Sequence, residues 1–262
     1  MNTLLLKIFI TPTIIGTASL AGRRWGHSIS GWLIALPLTT GPVTFFLALT
    51  HGTSFAATSA AGTLAGGFSQ AAFVLCYARL ASRWKWLPTL AASILSFAVC
   101  TFILQRLTFP LIPLCLLVFL SFALAIRLLP HTTTPVVATD NLPARWDIPM
   151  RMVIATVFVL LITGLAPAFG PRLTGLISPF PIFTATLAAF AHHQYGLDAT
   201  INVLRGLLMG LYAFASFFFV LAILLEPAGI LTAFTVAILV VIGLQSISFW
   251  LLRRRAAEIK RI

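Results

Sequence analysis

The chain alternates long apolar runs with short polar interruptions. A helix needs about 20 apolar residues to cross hydrocarbon. With that length as the ruler, the chain predicts about nine transmembrane helices, over residues 3–21, 29–49, 55–80, 86–104, 107–129, 148–168, 173–192, 199–225 and 230–251. The run from Trp86 to Leu129 is long enough for two crossings at 1.5 Å per residue, folding back at Gln105 and Arg106. One continuous helix would leave Arg106 at mid-membrane, which is costly. The single sizeable polar stretch, Pro130 to Asp147, carries the run Thr132 to Thr134, Pro135, Pro143, Asp140 and Arg145, and reads as a linker. The N-terminal run places its basic pair, Arg23 and Arg24, after the apolar residues, so it is expected to stay as a membrane helix and not to be cleaved as a signal peptide.

The pattern repeats. Shifted by 144 residues, Gly31–Ala78 aligns without a gap on Gly175–Ala222. Gly31, Gly52, Gly62 and Gly66 meet Gly175, Gly196, Gly206 and Gly210, and Pro37 meets Pro181. Outside that window Gly26 falls on Gly170 and Lys7 on Arg151. Matches among leucines and alanines weigh little in apolar sequence, but glycine and proline set backbone geometry, so their register points to duplication. The expected organisation is a first four-helix repeat over 1–105, a linking helix and cytoplasmic loop over 106–146, a second four-helix repeat over 147–252, and a basic tail over 253–262. Four spans return the chain to its starting side, so the fifth turns the second copy upside down. The expected fold is thus all-α and polytopic, with two inverted four-helix repeats.

Composition agrees with a membrane address. Apolar residues make up 60% of the 262 residues and charged residues 8%, with a mean hydropathy of +1.04; soluble domains carry about 25% charged residues. The net charge of +12 sits between the spans and not along a polar face, so it marks orientation and not nucleic-acid binding. With the N-terminus outside, fourteen basic residues fall on the cytoplasmic side and three (Lys7, Arg106 and Arg172) on the other, which accounts for all 17. The basic loops of the first copy have counterparts in the second that carry one arginine, Arg172, or a glutamate, Glu226, as oppositely oriented copies require. Cys76, Cys100 and Cys115 lie inside apolar spans, with no disulfide framework or zinc spacing.

Candidate chemistry gathers at two proline-rich breaks. The second span reads Ala35-Leu-Pro-Leu-Thr-Thr-Gly-Pro42, and the seventh reads Ser178-Pro-Phe-Pro-Ile-Phe-Thr184. Each proline removes a backbone donor and leaves a carbonyl about one turn earlier unpaired. In hydrocarbon that carbonyl must find a partner or line a wet cavity. The expected substrate-binding residues here are Pro37, Thr39, Thr40, Gly41, Pro42, Pro179, Pro181 and Thr184, with Thr44, Ser178 and Thr186 as further hydroxyls; the bland reading is a pair of kinks. Gly62-xxx-Gly66 and Gly206-xxx-Gly210 are small-residue seams suited to close helix packing. Beside the first runs a polar face of Ser59, Thr63 and Gln70; beside the second run Asp198, Asn202, Arg205, Tyr212 and Ser216. Gln70, Arg205 and Tyr212 join the expected site, Arg205 as an anion-binding or gating residue resting on Asp198 or Tyr212, or as a snorkelling anchor. No carboxylate lies deep in a span, which counts against a buried proton relay. His192 and His193 read as solvated boundary residues and not as a metal site. No nucleophile elbow, HExxH, phosphate loop or carboxylate pair appears, so no enzyme and no cofactor is expected.

Gly175-Leu-Ile-Ser-Pro-Phe-Pro-Ile-Phe183, followed by Ala191-His192 and Leu204-Arg205, resembles the GlpM family of small bacterial inner-membrane proteins, about half this length with about four spans. The chain departs from that pattern in proline placement and by about one helical turn before His192. The resemblance implies a fold unit and an inner-membrane address, and leaves the substrate open. These features predict an inner-membrane secondary transporter or lipid flippase for a small or lipid-linked anionic substrate, in contact with membrane lipids and not with nucleic acid. The alternatives are a non-transporting scaffold or assembly factor and, behind it, an intramembrane enzyme. A wet polar cavity at the breaks would speak for transport, and a filled core for a scaffold.

Overall fold

The computed structural model describes residues 3–25, 37, 39–130 and 147–259, and every regular element among them is an α-helix. In chain order these are α1 (Thr3–Trp25), α2 (Thr40–His51), α3 (Thr53–Leu80), α4 (Trp86–Arg106), α5 (Leu111–Leu128), α6 (Asp147–Ile177) and α7 (Ile182–Ile259). The linker over 131–146, the first part of the second span with Gly26 and Gly31, and the last three tail residues lie outside the described residues.

The two longest helices are not straight rods. Gly170 adopts φ 70° and ψ 170°, separating 147–169 from 171–177. Gly196 (φ 80°, ψ −164°) and Gly229 (φ 77°, ψ 176°) divide α7 into 182–195, 197–228 and 230–259. Gly52 takes the same conformation between α2 and α3. Positive φ with ψ near 180° is open in practice only to glycine. Each of these four glycines therefore ends one helix and lets the next begin at once on a new axis. Helix starts recur at the interval found in the sequence: Thr53 and Leu197, and Trp86 and Ile230, are each 144 positions apart, as are Gly52 and Gly196.

Among the described residues five helices, α3 to α7, are long and apolar enough to cross a bilayer. At 1.5 Å per residue the 78 residues of α7 would reach about 117 Å as one rod, several times the roughly 30 Å of hydrocarbon. Its breaks make it a chain of crossings. The molecule is a multi-pass helical membrane protein.

The centre belongs to α3. It is the least hydropathic of the five, rich in Ala, Gly and Ser, yet 67% of its most apolar window is buried against 22% for α5. In a membrane, apolarity does not drive a helix inward, because lipid is as apolar as leucine; small residues that permit close packing do. Around α3 stand α2, α4, α5, α6 and α7. The α5 helix divides its leucines by face alone. Ile112, Leu116, Leu120 and Leu124 are exposed to lipid, while Leu114, Val118, Phe122 and Ala125 are buried toward α3 and α7.

Candidate functional site: an interrupted helix packed on a glycine saddle

The break predicted at Pro179–Pro181 is present. After Ile177 the chain leaves helix over Ser178–Pro181 and resumes at Ile182. Its loose backbone groups can be followed one by one. The Ser178 amide and hydroxyl both donate to the Thr174 carbonyl, at 3.0 and 2.7 Å. The Phe180 amide reaches the Ile177 carbonyl, and the Ala185 amide the Pro181 carbonyl at 2.7 Å. The carbonyls of Gly175 and Pro179 turn to α3: Thr63 Oγ1 donates to Gly175 at 3.1 Å, and Gln70 Nε2 to Pro179 at 2.7 Å. The polar face of α3 thus supplies the partners that a break in hydrocarbon demands.

Glycine makes this approach possible. A Cβ on Gly62 would stand 2.6 Å from the Arg172 carbonyl oxygen, and one on Gly66 would run into the Pro179 ring. From the other side, a Cβ on Gly175 would collide with the Ser59 carbonyl. The seam Gly62-xxx-Gly66 is therefore a saddle on which residues 171–179 ride backbone to backbone, the packing use of such a motif. Ser178, Pro179 and Pro181 are buried, and Phe97 of α4 meets Phe180 edge-on at 5.3 Å. Two polar atoms are left over in this packed region. Gln70 Oε1 and Ser59 Oγ are both buried without a hydrogen-bond partner.

At the first break, Pro37 is non-helical, Thr39 lies in a turn and α2 starts at Thr40, while Leu38 is outside the described residues. The Gly41 amide donates to the Pro37 carbonyl at 2.7 Å. Pro42 does not interrupt the helix as the sequence suggested. It sits in the first turn of α2, where its missing N–H would have had no intrahelical acceptor. Gly41 faces the Phe217 ring, and Phe45 meets Phe234 at 5.5 Å. The expected hydroxyls mostly serve their own helices: Thr44 bonds the Thr40 carbonyl, and Thr186 the Ile182 carbonyl. Thr40 is buried, and Thr39 and Thr184 are half-buried.

Arg205 and Tyr212 go elsewhere. Arg205 donates to the Pro130 carbonyl at 3.0 Å, and the Tyr212 hydroxyl to the Phe119 carbonyl at 3.3 Å. Tyr212 is thus bound to α5 and is not the resting partner of Arg205. The sequence reading also missed a shared role for the arginines. Arg79 reaches the Leu128 carbonyl at 3.3 Å, beside Arg205 on Pro130, and Arg172 reaches Leu104 near the end of α4 at 3.1 Å. The last carbonyls of a helix have no intrahelical donor and carry the negative end of its dipole. Arg79 and Arg172 answer both needs, while Arg205 holds the Pro130 carbonyl two residues beyond α5.

Gln70, Thr63, Gly62 and Gly66 are therefore gathered on Gly175 and Pro179, whereas Arg205 and Tyr212 are joined to α5. Among the described residues no cluster of His, Cys, Asp or Glu is arranged to hold a metal. No protein family, curated protein or solved structure matches the chain.

Proposed function

We propose that the chain is a transporter or lipid flippase of a bacterial inner membrane, built from two inverted four-helix repeats around an odd linking helix, with an anionic or lipid-linked substrate. The observation that carries this reading is a pair of equivalent turns. Gly41 to Pro37 and Ala185 to Pro181 are bonded at 2.7 Å each, and donor and acceptor are both displaced by 144 residues. Helices that begin at repeat-equivalent prolines fit the building plan of inverted-repeat carriers, in which substrate sits at interrupted helices. The partners of the breaks add to it. Arg79, Pro130, Arg205, Trp86 and His193 meet at one end of the bundle, and Arg106 and Arg172 lie by Leu104 at the other, the same division that the charge split makes. In this reading the packed break is a closed state, with Gln70 as the latch on Pro179. The GlpM resemblance enters as a proposal for the address alone.

A scaffold or assembly factor is the second reading. It is favoured by the tight glycine saddle and by the satisfied carbonyls, which fill the region where a substrate would sit. Cysteine accessibility separates the two. In a chain with Cys76, Cys100 and Cys115 replaced, cysteine is placed at Thr39 or Thr184, and an impermeant maleimide is applied from each face of sealed vesicles. A carrier exposes these positions to either face in turn, and Gln70→Leu raises the labelling at Thr184. If both positions stay unlabelled from either face while a loop cysteine reacts, the scaffold reading replaces transport.

A further inference from the structure

The side of α4 turned toward the break is not filled. Between it and residues 173–180 runs an open crevice of about 320 Å³, near the lower end of the roughly 300–1,000 Å³ that small-molecule sites occupy. Its α4 wall runs from Ile94 to Gln105 at helical spacing, about 16 Å along the axis, and the opposite wall is Leu173, Ile177 and Phe180. Thr101 also lines it but has no hydroxyl to spare, since its Oγ1 donates to Ser69 at 2.8 Å. The groove is thus long, narrow and apolar along its length, the shape of a hydrocarbon chain.

Its mouth is different in kind. At the end of α4 stand Gln105 and Arg106, both exposed. The Arg106 guanidinium lies over Phe102, itself a lining residue, at 5.4 Å. Arg172 comes to the same place from the other wall, spending one N–H on the Leu104 carbonyl and keeping the rest of its five. These are two of the three basic residues that the charge pattern leaves on the poorly charged side of the membrane. They lie 66 positions apart in sequence, and the fold brings both to the last turn of α4, Arg106 over the lining residue Phe102 and Arg172 on the Leu104 carbonyl beside the lining residue Gln105. The end of α4 can use a cation for its carbonyls, and a bound anion would give both arginines a further use.

We propose that this crevice is a lipid site. One acyl chain of an anionic phospholipid lies along Ile94 to Gln105, and its phosphate is held at the mouth by Arg106 and Arg172, with Gln105 as a neutral donor. Guanidinium is suited to this task because its planar donors match phosphate oxygens in pairs. Lipid fills any surface groove, so the chain contributes fit and the arginines contribute selection. The site holds whether or not the protein transports; if it does, the groove ends at Phe180 in the break, where a lipid would touch the moving part.

The test uses the full chain in detergent, native mass spectrometry and dioleoyl phosphatidylglycerol, with dioleoyl phosphatidylcholine as the neutral comparison. The wild type is expected to retain one phosphatidylglycerol in preference to phosphatidylcholine. Arg106→Gln, which removes an exposed side chain, should weaken retention about tenfold, the usual scale for one charge-assisted hydrogen bond. Ala98→Phe, which fills the groove from its lipid-facing wall, should weaken both lipids. A phosphatidylglycerol carrying a diazirine on its acyl chain should crosslink to the peptide containing Ile94–Thr101. Equal retention of the two lipids, or unchanged retention in both variants, overturns the site. So does crosslinking spread evenly over the lipid-facing leucines of α5.

Discussion

Gly175 has a hydrogen where every other residue has a Cβ, and that vacancy is where α3 enters. A methyl group there has nowhere to go, because its obstacles are the backbone of Ser59 and Gly62 and not a side chain that could swing aside. Gly175→Ala is expected to lower stability by about 1–3 kcal/mol, the usual cost of overpacking. Gly164→Ala is the control. It is exposed, with open space around the added methyl, and should be neutral or gain up to about 1 kcal/mol from helix propensity. Thermal unfolding in detergent reads both, and equal effects would dissolve the saddle. Arg205 gives a second residue-scale prediction. Its bond to the Pro130 carbonyl makes it a structural tie between residues 197–228 and the segment that leaves α5. Arg205→Ala should cost about 1.5–3 kcal/mol, the range for hydrogen bonds to charged groups, and Arg205→Lys distinctly less because an ammonium can still donate. If Arg205→Lys instead keeps full stability and loses substrate or lipid binding, the residue belongs to a ligand site after all.

Elements here end on glycines, and the ends are sharp. Gly52 and Gly196 hold φ near +80° with nothing near a built Cβ, so the penalty of a side chain is purely conformational. Gly52→Ala and Gly196→Ala should each cost about 1–2 kcal/mol, and by similar amounts because the two occupy equivalent turns. Paired denaturation curves in one detergent would show it; a large inequality would mean that the two turns are equivalent in sequence only. At this scale much was legible beforehand. Long apolar runs predicted an all-helical, multi-pass chain, Gln105 and Arg106 marked the end of α4, and Pro179–Pro181 marked an interruption, while five helices among the described residues, not nine, are each long and apolar enough to cross a bilayer. A proline inside an apolar run looks the same whether it breaks a helix or starts one, and Pro42 falls in the first turn of α2. The preceding non-helical residues, Pro37 and Thr39, decide which.

For the whole molecule, the charge split and the contacts agree on which loops share a side. The charge split predicts an N-terminus outside and a C-terminus in the cytoplasm. A fluorescent protein that folds only in the cytoplasm, fused after Ile262, should therefore shine. A dark fusion at normal membrane levels would reverse the topology. The same scale explains why the candidate site came apart. Arg205, Tyr212 and Gln70 were joined on paper because they share equivalent helices, but equivalence under a repeat is not proximity. The fold hands Gln70 to the break and the other two to α5.

By itself, the sequence determined what each segment is. Apolar runs of bilayer length must be helices, since no other open backbone survives in hydrocarbon, and prolines and glycines in register must bend them at matching places. Only the tertiary structure decided which face of each helix is inside. In soluble proteins polar residues mark the outer face, but here both faces are apolar, so the leucines of α5 carry no label until α3 and α7 are in place. The partners of Gln70 and Arg172 are 109 and 68 positions away. A hydrogen bond that satisfies a carbonyl at such a separation depends on where two helices cross, and no local pattern records it.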